Sequence, residues 1–223
     1  MEYVFCDEKA NLKSFHTKGF VSKENYGYVY NIDDGKCLKV FNYQLAIDDI
    51  MLIKKMMEIE LYNFPKIYEM LYGFDGNFKA CVIDYYEKVI GMDILLMPTE
   101  YTIANFLSLC DSVCKLADNS IFVGNLNNKN VVSNKNDIMV VEPNLSLYEQ
   151  DKLLEIKNKE KVYELFIDLY VNAIKKYHAS RYLQFDKRTI YGLFYPNNNE
   201  EEICKKLRRV KYPFDYIVRG RNR

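Results

Sequence analysis

The chain has 223 residues, 49% hydrophobic and 15% aromatic, enough apolar side chain for one two-lobed domain or two small ones. Charged residues make up 28%, which argues against disorder, and equal totals of 31 basic and 31 acidic residues give no overall charge that selects nucleic acid or an acidic surface. No basic stretch leads into an apolar run near Met1, and no apolar stretch is long enough to span a bilayer, so neither a secretory signal nor a membrane span is expected and the predicted location is the cytoplasm.

In chain order, Gly27 to Ile32 is β-branched and aromatic, Asp33-Asp34-Gly35 is a tight-turn signal, and Lys36 to Phe41 alternates again, which predicts a hairpin. Leu45, Ile47, Ile50, Ile53 and Met57 make an apolar stripe that predicts a helix over Leu45 to Glu60, with Pro65 as its stop. Strands follow at Lys66 to Tyr72 and Ala80 to Tyr86, around the turn signal Asp75-Gly76-Asn77. The opening third therefore reads β-β-α-β-β. From Thr102 the pattern turns helical, through Ile103, Phe106, Leu109, Val113 and Leu116, until Asp118-Asn119-Ser120. Two short apolar runs, Val131-Val132 and Ile138 to Val141, flank the turn Asn134 to Asp137. A second long helix is expected over Lys159 to Tyr177, and a further one near Glu200 to Val210.

The six cysteines, Cys6, Cys37, Cys81, Cys110, Cys114 and Cys204, include no CxxC pair, and the only histidines are His16 and His178. Zinc sites want closely spaced Cys or His ligands, so the cysteines are expected to be reduced and to act as small core hydrophobes.

The order and spacing of several motifs resemble the protein-kinase superfamily, including its small pseudokinases and atypical kinases. The resemblance covers about Phe20 to Tyr177. Gly27-Tyr28-Val29-Tyr30 resembles the end of the kinase glycine-rich loop, although Ser22 and Glu24 stand at the positions of the first two glycines. Cys37-Leu38-Lys39 is similar to the Ala-Ile-Lys of the third strand, with Lys39 as the phosphate-contacting lysine. Its helical carboxylate partner is Asp49 in the favoured register, with Asp48 beside it and Glu58 in another helix phase. Val82 to Tyr86 resembles the strand leading to the hinge, with Ile83 as gatekeeper and the backbone of Asp84 to Tyr86 at the adenine edge. Val123 to Val132 resembles the catalytic loop H-[RG]-D-x-x-x-x-N, in which Asn130 keeps the terminal asparagine, Asn125 replaces the catalytic aspartate and Val123 the histidine. Ile138 to Asn144 resembles the metal-binding strand, with Glu142 at the metal carboxylate.

The resemblance implies an α+β, bilobal kinase-like fold: a β-rich N-lobe over residues 1–86 with one helix, and a mainly helical C-lobe over 87–223. It implies a nucleotide contacted by Gly27, Val29, Cys37, Lys39, Ile83, Asp84 and Tyr86, with ATP as cofactor and Mg²⁺ on Asn130 and Glu142. The departures weaken the chemistry. An asparagine amide cannot accept the acceptor hydroxyl's proton, and losing a general base typically costs about 10²- to 10⁴-fold in rate. Glu142 carries one methylene more than aspartate, and Mg²⁺ tolerates little geometric error. Only about fifteen residues separate Pro143 from Lys159, with no Ala-Pro-Glu, so a peptide-docking segment is not expected. The implied function is a pseudokinase that can hold ATP and works through a protein partner. The alternative is an atypical ATP/Mg-dependent phosphotransferase on a small-molecule or unusual acceptor. A third reading rests on Lys205, Lys206, Arg208, Arg209, Lys211, Arg219, Arg221 and Arg223, a basic C-terminal region suited to polyanions.

Overall fold

Alternating half-buried sequence fills the first unit of the chain with strands. In the computed structural model, residues 1–24, 26–33, 35–86, 97–134, 137–141, 143–149, 151–176, 187–195 and 199–209 are described. Two compact units result, Met1–Glu87 and Lys88–Arg223. The architecture is mixed α+β.

The first unit holds β1(Glu2–Cys6), β2(Leu12–His16), β3(Gly19–Glu24), β4(Gly27–Asn31), β5(Lys36–Phe41), α1(Ile47–Glu58), β6(Ile67–Tyr72) and β7(Phe78–Asp84). The strands form one antiparallel sheet in the order β2-β1-β6-β7-β5-β4-β3. The expected hairpin is β4–β5, with Gly35 at φ 68 in its turn, a left-handed conformation that glycine adopts without strain.

Residues paired directly across strands share a face. Val29, Lys39 and Cys81 are paired in one row, and Cys37 and Ile83 in the next row on the same side. That side carries the cluster of Leu45, Met70, Phe78 and Cys81, against which Ile50, Ile53 and Met57 of α1 pack. The opposite side holds Phe5, Ile32, Leu38, Leu71, Ala80 and Val82, with Tyr3 and Phe15 against them. The Tyr3 and Tyr30 rings lie 5.2 Å apart. Three strands separate β1 from β4 in the sheet order, so the sheet curls around this second cluster.

The second unit has α2(Thr99–Asp118), β8(Ile121–Asn125), β9(Val131–Asn134), β10(Asp137–Val140), β11(Asn144–Leu147), α3(Leu154–Lys176) and α4(Lys187–Phe194), and residues 200–209 form a last helix, α5. Its core is aromatic: Phe106 of α2 meets Phe166 of α3 at 5.2 Å and Phe194 of α4 at 6.0 Å. The two apolar runs pair antiparallel as β9 and β10, and β8 pairs with β11, pairings that the sequence pattern did not specify. α3 begins at Leu154, earlier than expected. Asp151, in the turn before it, accepts a hydrogen bond from the Leu153 N–H at 2.9 Å.

α5 buries Ile203, Cys204 and Leu207, and Lys159 of α3 reaches Glu200 at 2.9 Å and Glu155 at 2.8 Å. Burial pushes the thiol of Cys110 well above its ordinary range and that of Cys114 to about 11, so both stay protonated at neutral pH. All six cysteines are free. No helix among the described residues is long and apolar enough to cross a membrane.

Candidate functional site

In the first unit, sheet register gathers four of the expected nucleotide-contacting residues. Val29, Cys37, Lys39 and Ile83 share the face that α1 covers, with Val29 and Cys37 buried. The Lys39 ammonium lies 5.7 Å from the centroid of the Phe41 ring, two positions along the same strand. Partial burial raises the Tyr43 phenol above its ordinary pKa, Tyr26 and Asp49 raise it further, and Lys39 opposes them. Lys39 and Asp49 therefore both lie within electrostatic reach of one hydroxyl. Asp48, Asp49 and Glu58 are all exposed on α1.

Gly27 has a packing reason that the motif alone does not express. A Cβ at this position would sit 2.1 Å from the Val40 carbonyl oxygen, because Gly27 pairs with Phe41 where β4 and β5 approach closely.

The segment at the expected adenine edge is engaged in the fold. The Asp84 N–H donates to the Lys66 carbonyl at 3.1 Å and the Tyr85 N–H to the Gly35 carbonyl at 2.9 Å. The Asp84 carboxylate accepts from the Lys66 N–H at 2.9 Å, the Tyr68 hydroxyl at 2.7 Å and the Tyr86 hydroxyl at 3.0 Å. Burial raises the Tyr86 phenol far above its ordinary pKa, and the Asp84 charge adds to the effect. The N–H groups of Asp84 and Tyr85 are thus already paired within the fold.

In the second unit, the expected catalytic loop runs from β8 to β9. Asn125 is exposed at the end of β8, paired with Asn144 of β11. The Asn130 side chain brackets this loop: Nδ2 donates to the Asn125 carbonyl at 3.1 Å, and Oδ1 accepts the Asn127 N–H at 2.9 Å. The Asn130 carbonyl accepts the Val141 N–H at 2.7 Å, tying the loop to the end of β10. Glu142 lies outside the described residues.

Of the two residues expected at Mg²⁺, only Asn130 is described. Asn130 Oδ1 is a neutral oxygen already holding a backbone amide, and among the described residues no group of three or more His, Cys, Asp or Glu could hold a metal ion.

Two buried asparagines that the sequence reading did not single out hold this unit together. Asn158 on α3 accepts the N–H of Val123 at 2.9 Å and donates to the carbonyls of Val113 at 3.1 Å and Ile121 at 3.0 Å. One fully buried amide thus joins α2, β8 and α3. Asn105 on α2 accepts the Ile138 N–H at 2.6 Å and donates to the Tyr101 carbonyl at 2.8 Å, joining α2 to β10. An asparagine within a helical pattern usually marks a solvated position. The available signal was their placement on the apolar faces of α2 and α3.

The basic region is partly neutralised where it is described. Lys205 pairs with Glu201 at 2.8 Å and Glu202 at 3.5 Å, Arg208 pairs with Glu100 at 3.4 Å, and Lys206 donates to the Gly192 carbonyl at 3.4 Å. Lys211, Arg219, Arg221 and Arg223 lie outside the described residues.

No protein-family model matches this chain, and no curated protein matches it. Among solved structures, one described as the structure of vaccinia related kinase 3 is similar with a TM-score of 0.42 and 15% identity, covering 62% of this chain. The match takes in 49% of that protein's chain, so this chain corresponds to about half of its length.

Proposed function

We propose that this chain is a protein-kinase-like domain whose transfer machinery has become a scaffold: it holds ATP without transferring phosphate and acts through protein contacts. The observation that carries this reading is the amide bracket in the β8–β9 loop. Asn130 spends both ends of its side chain on the backbone of Asn125 and Asn127, and Asn125 offers an amide where transfer needs a carboxylate. Such a loop keeps its shape without a metal and has no base to take a hydroxyl proton.

Support for nucleotide binding comes from the other unit. Val29, Cys37, Lys39 and Ile83 bring three apolar side chains and one cation onto a single sheet face, the residue types that a base and a phosphate call for. Because the Asn130 side chain already serves the backbone of Asn125 and Asn127, the interaction is taken as metal-independent. Phosphotransfer on an unusual acceptor is the competing reading, and it requires Mg²⁺ dependence.

Thermal-shift titration of the full chain with ATP, with and without Mg²⁺, tests the proposal. A ligand at a hundredfold excess over its Kd adds about 2.7 kcal/mol of stability, a shift of several degrees. ATP should stabilise the parent equally in both buffers, and Lys39→Ala should remove the effect. No response in either buffer overturns nucleotide binding, and a response only with Mg²⁺ overturns the metal-independent form.

A further inference from the structure

We propose that the Tyr43 hydroxyl binds the terminal phosphate of a nucleoside triphosphate, so that the face carrying Lys39 prefers a triphosphate to a diphosphate. The inference rests on the preceding reading and names the ligand class for the same face.

Register orders this face along β5. Cys37 pairs with Ile83, Lys39 with Val29 and Phe41 with Gly27, all on the side that α1 covers. Residues two apart on a strand stand about 7 Å from each other. The apolar pair of Cys37 and Ile83 therefore lies to one side of Lys39. Phe41, with the chain leading on to Tyr43, lies to the other. A ligand with its base on the apolar pair and its inner phosphates at Lys39 extends its last phosphate towards Tyr43.

Two contacts hold Tyr43 in place. The Asn42 N–H donates to the Tyr26 carbonyl at 3.2 Å, and the Tyr26 and Tyr43 rings lie 5.7 Å apart. They fasten the connection between β5 and α1 to the turn before β4. Beyond Tyr43, Leu45 is buried in the cluster against which α1 packs, and Asp49 lies in the first turn of that helix. Tyr43 itself is 41% exposed, which leaves an anchored side chain accessible to a ligand.

The hydroxyl has the chemistry that a phosphate oxygen needs. Burial raises the phenol above its ordinary pKa, Tyr26 and Asp49 add to the shift, and Lys39 opposes them. At neutral pH the group is therefore an uncharged O–H donor, and hydrogen bonds to an ionised acceptor are the stronger kind. The Asp49 carboxylate weighs against an anion here, and the Lys39 ammonium offsets it. With no metal on the phosphates, the last one depends on protein donors alone.

Isothermal titration of the full chain with ATP and with ADP, in buffer without Mg²⁺, tests the inference. The parent should bind ATP at least about tenfold more tightly than ADP, the factor that one hydrogen bond to a charged group supplies. Tyr43→Phe keeps the ring against Tyr26, loses the hydroxyl, and should bring the affinity for ATP down to that for ADP. Loss of the preference, rather than of affinity alone, separates a phosphate contact from a structural role. Circular dichroism confirms that the variant is folded. Equal affinities of the parent for ATP and ADP overturn the inference and leave nucleotide binding standing. A full preference for ATP in Tyr43→Phe has the same consequence. Failure of the parent to bind either nucleotide overturns the preceding reading, and this inference with it.

Discussion

The side-chain amide of Asn130 donates to the backbone carbonyl of Asn125, five residues earlier, at 3.1 Å. Together with the hydrogen bond from the Asn127 N–H, this makes Asn130 a loop-shaping residue in its own right. Asn130→Ala removes both interactions from a half-exposed site, where each hydrogen bond contributes about 1 kcal/mol. Urea denaturation should show a loss of about 1–2 kcal/mol. An unchanged midpoint would mean that the loop holds its shape by other means.

Asn158 carries a heavier structural role. Asn158→Ala leaves the Val123 N–H and the Val113 and Ile121 carbonyls without their buried partner. Unsatisfied buried groups cost about 1–3 kcal/mol each, so a loss of at least about 3 kcal/mol is expected in equilibrium unfolding. Asn158→Asp should not rescue it, because a carboxylate keeps the acceptor for Val123 but faces two carbonyl oxygens. Full stability in the aspartate variant would contradict this hydrogen-bond assignment.

A paired glycine comparison tests the packing of the β4–β5 hairpin. Gly27→Ala drives a methyl group into the Val40 carbonyl, whereas a Cβ at Gly19 meets nothing within 4 Å. Overpacking against fixed backbone costs about 1–3 kcal/mol, so Gly27→Ala should lower Tm by several degrees. Gly19→Ala should lie close to the parent. Equal behaviour of the two variants would show that the strands separate more easily than the register implies.

Alkaline pH should weaken the first unit in a defined window. Burial raises the phenols of Tyr3 and Tyr72 from 10.0 to about 12, with hydrogen bonds to Tyr30 and Glu8 adding to the shift. Between these values the native state keeps protons that the unfolded chain has released, so the contribution of these phenols to stability falls as pH rises from about 10 towards 12. Tyr3→Phe should flatten part of that slope in urea midpoints measured across the range. An unaltered slope would remove Tyr3 from the explanation.

Much of the architecture was legible because periodicity reports directly on burial. The stripe from Ile47 to Met57 predicted α1, and the Asp33 to Gly35 turn predicted β4–β5. The apolar runs around Val131 and Ile138 coincide with β9 and β10. The β8–β11 pair was hidden because Ile121–Asn125 and Asn144–Leu147 are short and Asn-rich, and their pairing is non-local. At the candidate site, the sequence supplied residue types but not their commitments. That Asn130 serves its own loop, that Asp84 is occupied by Tyr68 and Tyr86, and that Gly27 is required by Val40 all depend on distances no spacing rule contains. Asn105 and Asn158 escaped notice because a lone asparagine gives no sign of what its helix packs against.

ADP formation by the full chain with ATP and Mg²⁺ tests the central claim, a kinase-like fold that holds nucleotide without transferring phosphate. The account predicts no ADP above the level of Lys39→Ala, with or without candidate acceptors. Mg²⁺-dependent ADP formation by the parent that Lys39→Ala abolishes would contradict it and identify the chain as an active phosphotransferase.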